Sequence, residues 1–201
     1  MKKVLQIQSS LFTENSASRQ LAEDLVAKMR EHGDIFDENR RNLAEEGVPH
    51  LDAAWIQALS TPTEGRTSEQ RKMVDYSDQL INEVMVADVL VIGAPMYNFS
   101  VPSVLKAWFD HITRAGVTFQ YSSEGPKGLL TGKTAYVITT RGGLHKDKPT
   151  DNQVPFIKTI LSFIGIHDVH VIYAEGLNMS GGHREKGFAE AKETIDRLVA
   201  A

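Results

Sequence analysis

Hydrophobic residues along the chain follow two alternating patterns. Short, mostly apolar runs at residues 3–8, 89–92, 133–140 and 167–174 read as strands, and their near-continuous character is that of strands buried on both faces. Between them the apolar residues recur every three or four positions. Leu21, Leu25, Val26 and Met29 mark one helical face, and Met73, Tyr76, Leu80, Ile81 and Val84 a second. Val101, Val104, Leu105, Trp108, Phe109 and Ile112 mark a third, with Pro102 suited to its first turn. Val154, Ile157, Ile160, Leu161 and Ile164 follow, with Pro155 in the first turn, and then Phe188, Ala191, Ile195, Leu198 and Val199. Thr67 and Gln70 form a capping box ahead of the second helix. Gly93, Ala94 and Pro95 are expected to stop the strand at 89–92.

The weaker segments are filled in from this frame. Residues 34–39, of mixed polarity, suit a second strand at a sheet edge. Residues 43–65 read as a polar connection with one helical piece at 52–59, before the turn Pro62, Thr63, Glu64, Gly65. Residues 119–130 suggest a hairpin excursion about a turn at 122–125. Strands alternating with helices from end to end predict an α/β architecture: a parallel, five-stranded sheet covered by helices on both faces. No internal repeat or linker divides the chain, so one domain over 1–201 is expected.

Composition removes several classes of function. With 41% hydrophobic and 24% charged residues and a formal net charge of -4, the chain is that of a globular protein without the basic surplus of a nucleic-acid binder. The pair Arg40 and Arg41 reads as a solvated strand end. There is no cysteine, which excludes disulfides, thiolate catalysis and cysteine metal sites, so any redox chemistry has to come from a cofactor. Nothing approaches the ~20 apolar residues of a membrane span, and a cytoplasmic protein with no membrane partner is expected. His167 and His170, three apart on a strand, face opposite sides and make a poor metal pair.

In a parallel sheet of this kind ligands bind beyond the carboxyl ends of the strands. Three loops there carry unusual residues. The first, residues 9–18 (SSLFTENSAS), is rich in hydroxyls and runs into a helix start, where unpaired N–H groups and partial positive charge suit a phosphate. Ser16 or Ser18 reads equally well as a plain helix cap, and Glu14 counts against an anion unless its side chain points away. The loop has neither GxGxxG nor GxxxxGK[ST]. The second loop, Met96, Tyr97, Asn98 and Phe99, places bulky residues where turns are ordinarily small and polar, and Tyr97 and Phe99 are expected to project into the crevice. In the third, Gly142 and Gly143 either let the backbone approach a flat ligand or form a simple turn.

These strings carry a family resemblance. APMYNF at 94–99, LKAWFDHITRAGVTFQY at 105–121, TGK at 131–133 and RGGLHKDKPTD at 141–151, with SAS at 16–18, resemble the FMN-dependent NADH-azoreductase (NADH:quinone oxidoreductase) family, over nearly the whole chain as far as YAEG at 173–176. The resemblance implies a flavodoxin-like fold, a doubly wound sheet of order 2-1-3-4-5. It implies FMN as bound cofactor, with Ser10, Ser16, Ala17 and Ser18 at the phosphate, Met96, Tyr97, Asn98 and Phe99 along the ring, and Thr140, Arg141, Gly142 and Gly143 at its polar edge. Arg141 also reads as a surface residue at a strand end. Electrons from NADH or NADPH would pass through the flavin to quinones or azo compounds in a two-step exchange on one flavin face, and no side chain need act as nucleophile.

Phe119, Tyr121, His145 and Phe163 are candidate substrate contacts. Core packing competes as the role of Phe163, and a solvated loop histidine as that of His145. The resemblance also implies a homodimer, with which the apolar surplus of the helix at 101–112 is compatible. Residues 52–66 depart most from the family pattern, so they bear on substrate preference. A flavodoxin-type electron carrier without nicotinamide reactivity is the alternative. A phospho-receiver domain is excluded, since the first strand ends in Gln8, Ser9 and Ser10 and the central one in Ala94, Pro95 and Met96 rather than in acids.

Overall fold

A computed structural model describes residues 1–12, 15–34 and 36–200; Thr13, Glu14, Ile35 and Ala201 lie outside them, and with them the reading of Glu14. Among the described residues the chain runs β1 (Lys2–Gln8), α1 (Ala17–Glu31), β2 (Phe36–Asn42), α2 (Leu43–Glu46), α3 (Ala53–Ser60), a 3₁₀ turn (Thr63–Gly65), α4 (Ser68–Val86), β3 (Val89–Pro95) and α5 (Ser103–Ile112). It continues through β4 (Phe119–Ser122), β5 (Gly125–Gly128), β6 (Thr134–Thr140), α6 (Gln153–Phe163), β7 (Asp168–Ala174) and α7 (His183–Val199). Five strands form a parallel sheet in the order β2-β1-β3-β6-β7, and β4 pairs with β5 as an antiparallel hairpin. The numbering differs from the expected 2-1-3-4-5 because the hairpin excursion contributes two strands of its own, ahead of the last two in the sheet.

The period-two alternation of the buried strands divides the core into two layers. Leu5, Ile7, Leu90, Ile92 and Ala94 face α4, α5 and α6, packing with Leu80, Leu105, Trp108, Phe109 and Ile157. Val4, Val89 and Val91 face α1 and α7, packing with Leu21, Leu25, Ala191 and Ile195. Helices on both faces are therefore dictated by strands that are apolar on both faces.

Four expectations need correction. The central strand does not stop at Gly93: β3 runs on to Pro95, with Gly93, Ala94 and Pro95 paired to Ile138, Thr139 and Thr140. Proline is tolerated because it closes the strand, and the next N–H, of Met96, donates to Thr140 O at 2.8 Å. The segment after β2 holds two helices rather than one, since α2 is a single turn, capped by the Asn42 side chain and ended by left-handed Gly47, too short to show a period. Arg41 is no solvated strand end. It is buried and donates to Glu83 (2.7 Å) and Glu46, tying β2 to α4 and α2. Finally, the apolar residues Leu105, Trp108, Phe109 and Ile112 of α5 are fully buried within the chain, so they are no apolar surplus at its surface.

The hairpin is anchored by a close approach that only glycine allows. A Cβ on Gly128 would lie 2.1 Å from the Gly165 nitrogen, and Leu130 N donates to Ile164 O at 2.8 Å. α3 is fastened to α4 and α5 by three rings. His111 lies edge-on to Trp55 at 4.4 Å and to Tyr76 at 5.4 Å, and its Nε2 is 2.9 Å from Pro49 O.

Burial holds the His111 imidazole below its ordinary pKa, the bond to Pro49 opposing this only in part. A histidine depressed in the fold contributes stability that is fully present above the unfolded value, ~6.5, and is lost as pH falls through the folded value. Urea denaturation should therefore show the protein losing stability below that pH, and His111→Gln should lose less over the same interval. Parallel pH profiles would contradict this account.

Candidate functional site

At the carboxyl ends of β1, β3, β6 and β7 lies a cavity of about 180 Å³. Its walls come from the β1–α1 loop (Ser10, Phe12, Asn15, Ser16, Ala17), the end of β3 (Pro95, Met96, Tyr97), the end of β6 (Thr140, Arg141, Gly142) and the β7–α7 loop (Leu177, Asn178, with Arg184). No carboxylate is among the described wall residues. Tyr97 separates this cavity from a second hollow of about 500 Å³ bounded by Leu11, Asn98, Val101, Lys106 and Phe156.

The first wall is a capped helix start. Ser16 Oγ accepts from Arg19 N at 3.2 Å and lies 3.1 Å from Ser18 Oγ. Capping and cavity-lining, set against each other in the sequence, are both performed by Ser16, since a hydroxyl that accepts from the helix still has its hydrogen to donate. Ser18 is buried and does not line the cavity. Ser10 Oγ accepts from Phe12 N at 3.2 Å and stands 3.5 Å from the Tyr97 hydroxyl, which links the first loop to the second.

The second wall is a tight two-residue turn. Tyr97 and Ser100 exchange backbone hydrogen bonds of 3.0 and 3.1 Å across Asn98 (φ 49°) and Phe99 (φ 65°). Two consecutive left-handed residues are the mark of a type I′ turn. Asn tolerates this region, whereas Phe is strained there, at a cost of roughly 1–3 kcal/mol. Phe99 does not project into the cavity as expected. It is half exposed, with its ring edge-on to His145 at 5.7 Å.

The third wall rests on a buried cation. The Arg141 side chain is fully buried, which overturns the reading of it as a surface residue. Its Nε donates to Thr139 Oγ1 (2.8 Å), its Nη2 and Nη1 to the two Asp151 oxygens (2.8 and 3.0 Å), and Nη1 also to Glu175 Oε1 (3.2 Å). That Glu175 oxygen accepts from the amides of His145 (2.6 Å) and Lys146 (2.8 Å), and so fixes the loop after the diglycine. Thr139 donates to Gln153 Oε1 (2.9 Å), and Gln153 Nε2 donates to Ala94 O and Pro95 O. The ends of β3, β6 and β7 and the start of α6 are thus parts of one hydrogen-bonded network.

Gly142 lies against the Asn178 side chain, whose Nδ2 would be 2.7 Å from a Cβ placed there. Gly143 stands behind it, beside the His145 ring, whose Nδ1 is 2.9 Å from Thr150 Oγ1. Phe119, Tyr121 and Phe163 are brought to one another rather than to the cavity. Phe119 is 4.5 Å from Phe163 and 5.5 Å from Tyr121, at the hairpin, and Phe163 packs against the core. None of residues 52–66 lines the cavity either.

A family model described as a flavodoxin-like fold matches residues 2–199. The FMN-dependent NADH:quinone oxidoreductase of Cellvibrio japonicus (strain Ueda107) is 49% identical to this chain over 201 residues, covering all of both. The chain belongs to the FMN-dependent NADH:quinone oxidoreductase family. The azoreductase from Bacillus anthracis str. Sterne is 27% identical, with 99% of each chain covered and a TM-score of 0.90. An FMN-dependent NADH-azoreductase from Bacillus anthracis str. Ames Ancestor, solved in complex with FMN, is 25% identical, with 99% of this chain and all of that one covered and a TM-score of 0.86.

In this oxidoreductase-family chain the sequence reading missed Phe12 and Asn15 of the first loop and the whole fourth wall, Leu177, Asn178 and Arg184. The signal was present: a loop following the last strand must open at the same edge of the sheet as the others.

Removing one partner of a buried ion pair leaves an uncompensated charge, at a cost of about 3–5 kcal/mol. Arg141→Met should lower the urea-unfolding free energy by that order. A loss below ~1 kcal/mol, the scale of an exposed pair, would show that the network carries no such strain.

Proposed function

We propose that the protein is an FMN-dependent oxidoreductase that reduces quinones and azo compounds with electrons from NADH, with NADPH as the second candidate donor. The observation that carries this is the cavity itself. One end is a helix start furnished with hydroxyls and, among the described residues, free of carboxylates; a strained turn and a buried-arginine platform stand beside it. A phosphate monoester with a flat, hydrogen-bonding ring system has matching requirements. A dianion needs neutral and positive donors, and a ring edge needs donors that cannot swing away.

Ser10, Ser16 and Ala17 would hold the phosphate, with Ser18 behind Ser16 orienting its hydroxyl. Met96, Tyr97, Asn98 and Phe99 would flank the ring, and Thr140, Arg141, Gly142 and Gly143 its polar edge, Arg141 acting through its backbone because its guanidinium is engaged below. When bound, FMN supplies the two-electron chemistry linking donor and acceptor, and the protein supplies orientation and electrostatics. The left-handed turn fixes the amides of Asn98 and Phe99. Glu175, by pinning the amides of His145 and Lys146, holds the diglycine in place ahead of them.

The active form is a homodimer in this reading. Exposed Leu11, Phe12, Phe99, Leu144 and Met179 on the loops around the cavity support it, and a second copy is the source of an aromatic wall that Phe119, Tyr121 and Phe163 do not provide within one chain. Among the described residues no helix is long and apolar enough to cross a membrane. A cytoplasmic setting, where reduced nicotinamides are available, fits the donor.

Titration with FMN should quench flavin fluorescence as the complex forms. Anaerobic NADH should then bleach its absorbance, and a quinone should restore it. Absence of FMN binding would overturn the proposal, and binding without bleaching would leave an electron carrier in its place.

A further inference from the structure

Two arginines line the cavity, and they differ in what already engages their guanidinium groups. That of Arg141 is committed to Thr139, Asp151 and Glu175. Among the described residues, Arg184 has no ion pair. Its contacts are a 3.3 Å hydrogen bond to Leu177 O and a position 5.3 Å from the centre of the Phe188 ring, which supports the group and leaves its N–H edges available.

The position is one that the chain alone does not favour. Arg184 stands in the first turn of α7, where the backbone dipoles already present positive charge and a cation is repelled. The helix is preceded by left-handed Gly182, which has no side chain to cap it. α1 and α7 pack side by side through Leu21, Leu25, Ala191 and Ile195, and are joined on the surface by Lys28–Asp196 and Lys192–Asp24. Each follows a parallel strand and returns along the same face of the sheet, so both begin at the cavity edge. Ser16 and Ala17 at the start of α1 and Arg184 at the start of α7 accordingly line the same space.

We infer that Arg184 is a phosphate-binding residue of this cavity, its guanidinium pairing with the 5′-phosphate of FMN seated at the start of α1. The inference rests on the flavin reading above and adds what that reading lacks. The hydroxyls and amides of the first loop are neutral donors, and a phosphate carries up to two negative charges. The planar guanidinium fork matches two phosphate oxygens at once, and the anion in turn removes the repulsion between Arg184 and the helix it begins.

FMN and riboflavin, which lacks the phosphate, separate this role from a structural one. Dissociation constants for both should be measured by fluorescence titration at low and high salt on the wild type, Arg184→Ala and Arg184→Lys. Arg184→Ala should weaken FMN roughly tenfold, the scale of one charge-assisted hydrogen bond, and leave riboflavin unchanged. Arg184→Lys should recover part of the loss, and the wild type should show the steeper salt dependence. Equal weakening of FMN and riboflavin would overturn the inference in favour of a role through Leu177. Unchanged FMN affinity with a raised KM for NADH or NADPH would overturn it in favour of the dinucleotide phosphates. A wild type that binds no FMN would overturn the cofactor reading itself, whereas normal FMN binding unaffected by Arg184→Ala would overturn the role of Arg184 alone.

Discussion

The pair of hydrogen bonds from Gln153 Nε2 to the carbonyls of Ala94 and Pro95, continued through Thr139 to the Arg141 guanidinium, is the constraint on which the site depends. Strand ends are where a parallel sheet runs out of partners, since the last carbonyls and amides face whatever the loops supply. Here a buried side chain from α6 takes up the carbonyls at the end of β3, the amides of Met96 and Leu177 take up those of Thr140 and Arg141, and Glu175 takes up the loop beyond. Such a network is stable only when every member is satisfied. Its completeness makes the open edge of the sheet a rigid rim.

On that rim the loops differ in how they are held. The start of α1 is set by a helix cap, the 97–100 loop by reciprocal backbone bonds that force Phe99 into a strained conformation, and the diglycine loop by a carboxylate beneath it. Strain of this kind persists where the surroundings over-determine it, and it concentrates at functional sites. The result is a set of backbone donors held in place by the chain itself, which is what a cofactor-orienting protein requires.

The layered sheet was legible because both faces of its strands are apolar and the helical faces repeat cleanly. Three of the four walls were also legible, through hydroxyls, aromatics and paired glycines standing at strand ends. What escaped had physical reasons. The extension of β3 through Pro95 was hidden because proline ordinarily breaks strands, and α2 because four residues cannot display a period. The burial of Arg141 and Arg41 was hidden because charge in a sequence is indistinguishable from solvation until its carboxylate partners, distant in the chain, are known. The aromatic residues of the hairpin and α6 looked like a substrate wall and proved, within one chain, to face each other. Arg184 lay in a stretch without an apolar pattern, and only the packing of α7 beside α1 brings it to the cavity.

The central claim is that a flavin phosphate sits at the start of α1 with the ring passing between the 97–100 turn and the diglycine. Amide chemical-shift mapping of the isotopically labelled protein during FMN addition tests it most directly. Large shifts are expected at the amides around the cavity, those of Ala17, Ser18, Asn98, Phe99, Gly142, Gly143, Asn178 and Arg184, and at their immediate neighbours. Shifts centred instead on the hairpin around Tyr121, or spread evenly over the sheet, would contradict it.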